Sequence, residues 1–576
     1  MKKNALQKVL ATTLAGTMVL SLAACGDSAT TETATTEATT ETTTTETTTT
    51  ETATTEATTE EATVAGIEGF TAFDETVTLR IPIYQRATPN GAADAADNYW
   101  TNWVQENFGD QYNIDVEYVA LTRGEENTAY ALAAADGTLP VVCFEYDYPD
   151  VAMYYNEGYY QSYDVDWFKQ IAPTYWAMME ENGLDQYTTI NDENIFLIGE
   201  RAYGNTNYQF VTFYRLDWVK AAGYDEMPSD PDEVLEMYAK IYELGLCGDH
   251  ILGGTQTGTD GGVDQNYSYR TYPQDELTRA QQGDYSIPAL TLDAQKALLK
   301  KQNQLYNLGY IDDEYNTRES SYGSADFING DTISYSCYST NTITVLDEFY
   351  AANPDAELAI CVNHGPETYS DGSCNAFRPN GIFGEYIGFS ATATEDEMKA
   401  FAMYLEWMIQ PEILETLQWG IEGVNYEVVD GEKVYLDQTG IAEQQGHNNN
   451  VDMWCLVAAT KTSGSVDDDI KAITPLGYPQ SDDFFTQIKE NYEGQVACYE
   501  AGLVALDPRY VETIESEAEY KSTLCAKYAV LRDQIVMGSE EDFEANYAAA
   551  CEEYLAAGYQ EILDERTEAY ENGNVQ

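Results

Sequence analysis

From Val77 to Tyr84, VTLRIPIY, apolar and polar positions alternate in β-rich residues, which predicts a first strand. Residues 97–108, DNYWTNWVQENF, predict a helix. Ile114–Val119 predicts a second strand, and TAYALAAADG a helix that stops at Gly137. Leu139–Phe144 predicts a third strand. Strands alternating with helices point to βαβ units and a mainly parallel sheet.

The middle of the chain carries capped helices. Asp230-Pro231-Asp232-Glu233 offers a cap, a proline suited to the first helical position and an acid three residues after the cap. Val234, Leu235, Tyr238, Ile241 and Tyr242 then share one face, and Gly245 ends the helix. His250–Thr255 reads as a short strand running into a Gly-rich loop. A further helix starts at Thr394, with Glu397 three residues on and a stripe of Met398, Phe401, Leu405, Met408 and Ile409. Residues 540–571 read as a helical pair broken at Gly558.

The first 66 residues have neither period. Lys2, Lys3 and Lys8 precede an apolar run from Val9 to Leu22, and Leu22-Ala-Ala-Cys25 closes it. A basic start, a short apolar run and small residues before the cut describe a secretory signal over 1–24. Residues 25–66 are nearly all Thr, Glu and Ala, and bury too little apolar surface to offset chain entropy. They are expected to form a disordered tether of roughly 35 Å at rest and up to about 130 Å extended. The remaining residues, 67–576, are too many for one ordinary core and suggest more than one lobe. No apolar run after residue 25 is long enough to span a membrane.

Composition narrows the function. The net charge of −71 excludes nucleic acid and anionic lipid as main partners, and disfavours an anionic solute unless a local Arg cluster receives it. The 46 Tyr outnumber the 28 Lys and Arg, and a flat apolar face with a hydroxyl suits polyhydroxy ligands. The ten Cys form no C-x-x-C pair and there are only three His, so zinc is disfavoured. Export permits disulfides, whereas an anaerobic habitat would leave thiols; most are expected to be buried apolar residues. No G-x-S-x-G, H-E-x-x-H or phosphate-loop pattern occurs, and Thr255–Gly262 is Gly-rich without the loop lysine. No cofactor or metal is assigned, and no enzymatic role is expected.

Four segments together resemble one family. They are the opening strands with LAAADGTLP and YYNEGYYQSYD, the stretch YRLDWVKAAGYDEMPSDPDEV, the stretch WGIEGVNYEVVDGEKVY at 419–435, and the tail from Ala526 to Tyr570. The body resembles an extracellular solute-binding protein of a bacterial ABC importer, in the large lipoprotein branch usually assigned to carbohydrates. It departs from that pattern at Pro140-Val141, where the family often has Pro-Asp, and at Ser229, where Thr is common. The end of the signal similarly resembles a lipobox, which implies a diacylglyceryl anchor on Cys25 at the extracellular face of the membrane.

The resemblance implies an α/β, two-lobed periplasmic-binding-protein-like fold with a central cleft and crossing strands near 207–214, 384–388 and 450–456. Lobe 1 is then about 67–209 plus 386–452, and lobe 2 about 210–385 plus 453–576. It also implies a monomer that hands its solute to ABC permease subunits.

Ligands in open α/β sheets sit beyond the carboxyl ends of the strands. The candidate contacts there are Tyr84, Gln85 and Arg86 after the first strand, and Glu145, Tyr146 and Asp147 after the third. Tyr203, Asn207 and Tyr208 come from the crossing region, Tyr338 from a later strand end, and Trp454 from HNNNVDMW. Carboxylates and amides bind vicinal hydroxyls, and aromatic faces stack on sugar rings. The expected function is capture of a neutral sugar or oligosaccharide by hinge closure. The alternatives are a secreted glycoside hydrolase and a binding protein for another solute such as a peptide. Arg215 and Asp217 are expected to form a structural ion pair.

Overall fold

A computed structural model describes residues 66–85, 94–253, 275–283, 286–317, 322–339, 343–367, 377–429, 431–436, 438, 440–445, 451–461, 465–504 and 506–576. The signal, Cys25, the tether up to residue 65, Arg86, the Gly-rich stretch 255–262, Cys374 and His447 lie outside the described residues.

The principal strands are β1 (Val77–Gln85), β2 (Ile114–Thr122), β3 (Val142–Glu145), β4 (Phe196–Glu200), β5 (Phe210–Arg215), β6 (Ser334–Tyr338), β7 (Leu358–Ile360), β8 (Phe383–Phe389), and a hairpin of β9 (Tyr426–Val429) and β10 (Glu432–Tyr435). β1 and β2 pair in parallel, in register from Val77 with Ile114 to Gln85 with Thr122. Helix α1 (Tyr99–Val104) lies between them in the chain and runs on through a π turn at 105–109. Asn98 caps it by accepting from the N–H groups of Trp100 and Thr101. Helix α2 (Glu126–Asp136) ends where Gly137 turns left-handed at φ 68°.

The expectation of a mainly parallel sheet is corrected. β8 lies antiparallel between β3 and β4, and β5 lies antiparallel between β6 and β7. The reason is topological: β8 returns from much later in the chain and inserts between two earlier strands, running opposite to both. The segment at 450–456 also differs. It holds a short helix, Val451–Cys455, and the extended stretch comes one turn later. There the Glu200 N–H donates to the Val457 carbonyl at 2.8 Å and the Ala459 N–H to the Glu200 carbonyl at 2.6 Å.

Helix α3 (Pro231–Leu244) starts at Asp230, whose side chain accepts from the Asp232 N–H, and ends at a left-handed Gly245. Val234, Tyr238 and Ile241 are buried as the stripe predicts, but Tyr242 is exposed and Met237 takes its place inside. Helix α4 (Glu395–Met408) has the full capping box of Thr394 and Glu397 and is buried nearly all round. It is followed by α5 (Pro411–Trp419), and α6 is the helix Val451–Cys455. Helices α7 (Val466–Ile473) and α8 (Ser481–Glu500) come next, and the chain ends in a bundle of Glu515–Val536, Phe543–Tyr554 and Gln560–Glu571. The last two helices join at a kink at Gly558, φ 121°.

The largest core gathers side chains from Leu79 to Ile198 and from Tyr386 to Val457. Separate cores collect side chains from Tyr208–Ile360 with Ile470–Ile488, from Tyr214–Ala359, and from Ile287–Leu299 with the terminal bundle. Arg215 and Asp217 form the expected ion pair at 2.6 Å, with the guanidinium 4.4 Å from the Trp218 ring. Cys143, Cys247, Cys337, Cys361, Cys455, Cys498, Cys525 and Cys551 are free thiols. Among the described residues no helix is long and apolar enough to cross a membrane.

Candidate functional site

The parallel pairing of β1 and β2 sends both carboxyl ends to one edge. β3 runs beside β1, with the Val141 N–H donating to the Arg80 carbonyl at 2.9 Å, and ends at the same edge. Three short segments therefore meet: Tyr84-Gln85, Thr122-Arg123 and Glu145-Tyr146.

Glu145 is the centre of this meeting and is only 1% exposed. Arg123 Nη1 donates to both of its carboxylate oxygens at 2.9 Å, the Tyr146 N–H donates to it at 2.9 Å, and the Tyr84 hydroxyl donates to it as well. Arg123 also reaches Glu126 at 2.6 Å. Its guanidinium lies 4.7 Å from the Tyr84 ring and 5.6 Å from the Tyr146 ring, within cation–π range. The Tyr146 hydroxyl donates to Asp452 Oδ1 on α6 at 2.7 Å. One cation, two tyrosine faces and carboxylates from β3 and α6 thus form a continuous chain of contacts.

Electrostatics differ between the partners. Burial pushes the Glu145 carboxyl above its ordinary value, and the Tyr84 hydroxyl and the Arg123 charge pull it partly back. Burial works most strongly against the Arg123 charge, but Glu145, Tyr84 and Glu126 together outweigh it and the guanidinium is held more firmly protonated. The asymmetry follows from solvent: the Arg123 side chain keeps a third of its surface, whereas Glu145 keeps almost none. Burial likewise raises the Tyr84 hydroxyl, which stays a proton donor.

The other candidates sit in several places. Gln85 accepts the Ala95 N–H at 2.8 Å. Asp147 is exposed at the start of the helix Tyr148–Asn156 and its side chain caps nothing there. Trp454 is buried on α6, two positions after Asp452.

Tyr203, Asn207 and Tyr208 form a second group. Tyr203 holds a left-handed φ of 56° and donates to Asp469 Oδ2 on α7 at 2.7 Å. Asn207 is gripped by Gln495 on α8: its N–H meets Gln495 Oε1 at 2.9 Å and its Oδ1 accepts from Gln495 Nε2 at 2.6 Å. Its own Nδ2 donates to the Arg378 carbonyl at 3.0 Å. Tyr208 is 2% exposed, edge-on to Tyr203 and Tyr492. Tyr338 belongs to neither group; it is exposed and edge-on to Phe210.

Sequence reasoning missed Arg123, Glu126 and Asp452. Arg123 follows directly on β2, so the strand-end argument applied to the first and third strands finds it when applied to the second. Asp452 lies within the HNNNVDMW stretch, where only the aromatic was singled out.

The chain matches no family model and no curated protein. Solved structures match over most of its length. The alginate-binding protein AlgQ2, solved without calcium ion, is 16% identical with a TM-score of 0.58, over 88% of this chain and 100% of that one. An HMO-binding, ABC-transporter-associated solute-binding protein from Bifidobacterium longum infantis is 13% identical with a TM-score of 0.58, over 87% and 100%. The S. pneumoniae ABC-transporter substrate-binding protein FusA, in complex with kestose, is 13% identical with a TM-score of 0.56, over 86% and 99%. At these identities the likeness establishes the fold: the α/β, two-lobed architecture of ABC-transporter solute-binding proteins.

Proposed function

We propose that this protein is the solute-capture component of a carbohydrate ABC importer. The observation that carries the reading is the chain of contacts through Tyr84, Arg123, Glu145, Tyr146 and Asp452, at the edge where three strand ends meet. It sets the half-buried Tyr146 ring and the part-exposed Arg123 beside fixed hydrogen-bonding groups, the combination a sugar ring with its hydroxyls requires. Solved proteins of the same fold support it: one is alginate-binding, one is HMO-binding and one is in complex with kestose.

In this reading the lobes are about 67–209 plus 386–452 and about 210–385 plus 453–576, with 453–459 lending side chains to the first core. The solute touches both lobes only when they are closed, so it shifts the population toward closure. Gln85, Asp147 and Tyr338 are further contacts from the rims, with Arg86 next to Gln85 in the chain and Trp454 beside Asp452 in the core, and the Tyr203–Tyr208 segment is the joint. Cys25 carries the lipid after the signal is removed, and the tether keeps a monomeric body near its permease subunits on the extracellular face. The protein performs no chemistry on its cargo.

Calorimetry of the purified protein with a panel of neutral oligosaccharides tests this. Binding without turnover is expected. Binding of peptides with none of sugars overturns the cargo, and hydrolysis of an oligosaccharide overturns the transport role.

A further inference from the structure

A second aromatic and charged cluster lies one helix away from the strand ends. α5 packs against α6, the helix whose Asp452 holds Tyr146. At the end of α5 the Trp419 ring stacks on Tyr435 of the β9–β10 hairpin, with centroids 5.1 Å apart and planes at 19°. Tyr426 meets the same indole edge-on at 6.1 Å. Trp419 is 3% exposed, while Tyr435 keeps 43% of its surface. The outer face of the stack therefore belongs to Tyr435.

Two lysines converge on these rings. Lys461 Nζ lies 3.8 Å from the Trp419 centroid and 4.3 Å from that of Tyr435. Lys433 Nζ lies 5.2 Å from Trp419 and 5.3 Å from Tyr426. Lys433 has a counterion, Glu415 at 2.7 Å, which also accepts from the Tyr426 hydroxyl. Glu422 adds a further negative charge near Tyr426. Lys461 has none of this: among the described residues its contacts are the two rings alone. Among the described residues no carboxylate pairs with this ammonium. Burial, and then the Lys433 charge, push it down to about 7.

We infer that this cluster is a seat for an acidic sugar unit, a uronate, whose ring stacks on Tyr435 and whose carboxylate pairs with Lys461. The inference rests on the sugar-binding reading and deepens it. A carboxylate supplies the counterion that Lys461 lacks, and a stacked sugar covers the open tyrosine face. The site also solves a problem of charge: at a net charge of −71, an acidic solute needs a local cationic receptor. Lys461 supplies it, because Lys433 is already paired with Glu415. Because Lys461 is near half-protonated at neutral pH, an arriving carboxylate draws a proton onto it, so binding and proton uptake are linked.

The test uses the full chain and two probes with the same sugar backbone, charged trigalacturonate and its neutral methyl ester. Near pH 6 the acid is expected to bind at least about tenfold tighter than the ester, and the preference to fade by about pH 9 as the free ammonium is lost. Lys461→Met is expected to erase the preference while ester binding persists, and Lys461→Arg to keep it at the higher pH. Equal binding of both probes, or a preference that survives in Lys461→Met, overturns the inference. So does binding of other neutral oligosaccharides with neither probe bound, which leaves the sugar reading standing. If no saccharide binds at all, the sugar reading fails and takes this inference with it.

Discussion

Two groups of tyrosines and polar side chains, built from the same residue types, behave differently. At the strand ends, Tyr84 and Tyr146 flank Arg123, Tyr146 is half-buried, and Asp147 beside it is exposed. In the Tyr203–Tyr208 segment the hydrogen-bonding groups are already matched within the protein. Asn207 has its N–H, its carbonyl oxygen and its amide nitrogen all engaged, and Tyr208 is sealed by two other rings. The first group holds a charge under aromatic surface at an edge. The second ties the Tyr203–Tyr208 segment to α7 and α8. Burial does not separate the two groups, since Tyr84, Glu145 and Asp452 are as buried as Tyr208; the Arg123 side chain, a third exposed, is what the strand ends have and the Tyr203–Tyr208 segment lacks.

The largest expected effect lies in the joint. Tyr208→Ala removes a buried ring from a core that also holds Val211, Phe213 and Phe484, and is expected to cost about 4 kcal/mol in denaturant unfolding. If the loss is under about 1 kcal/mol, the joint is not the rigid element that the comparison requires.

Next comes Glu145→Gln, expected to cost about 3 kcal/mol because an amide N–H2 replaces one of the two oxygens that accept from Arg123, Tyr146 and Tyr84. It also has a pH signature. Burial holds the Glu145 carboxyl above its ordinary value, so the folded protein takes up that proton more readily than the unfolded chain. The stability this group contributes is full below the unfolded carboxylate value and is lost as pH rises through the folded one. Unfolding midpoints of the parent measured across the acidic range should carry that downward slope, and Glu145→Gln should remove it.

A smaller change separates the groups by kind of effect. Asn207→Ala is expected to cost about 2 kcal/mol, because Gln495 Nε2, on a side chain only 4% exposed, loses the Asn207 Oδ1 acceptor and the Arg378 carbonyl loses its donor, while the backbone N–H still meets Gln495 Oε1. Sugar affinity measured by calorimetry at a temperature where the variant is fully folded should change less than about threefold. A larger loss would place Asn207 among the ligand contacts.

Much of the fold is legible because it follows period and punctuation. The alternation in VTLRIPIY and IDVEYV, the cap at Asp230 and the box at Thr394 each act within a few residues, and each element forms where they place it. Pairing is not local. β8 inserts between β3 and β4 because of where a distant segment returns, and nothing in its seven residues states the direction of its neighbours. The same limit governs the site. Tyr84 and Glu145 are visible as strand ends, whereas Asp452 joins them only through the packing of α6. Trp419, Tyr435 and Lys461 share no spacing rule at all; a hairpin and a returning segment bring them together.

Tyr146→Phe is the finest cut through the comparison. It keeps the ring beside Arg123 and removes only the hydroxyl that donates to Asp452 at 2.7 Å. The expected stability loss is about 1 kcal/mol, since the bond is partly open to water and the ring packing is untouched. Its effect on sugar binding should be larger than that figure suggests. Asp452 sits at 1% exposure on the short α6, and the Tyr146 hydroxyl is what joins it to the strand ends. Losing that bond frees α6 relative to β3, so a ligand that needs both must fix them on binding and lose affinity accordingly. A drop of about tenfold in sugar affinity beside a small stability change marks this group as the ligand surface. Tyr203→Phe removes the matching bond to Asp469 in the other group, and there affinity should hold while stability falls by a similar amount. If the two variants behave alike, the distinction between surface and joint fails at the level of single hydroxyls.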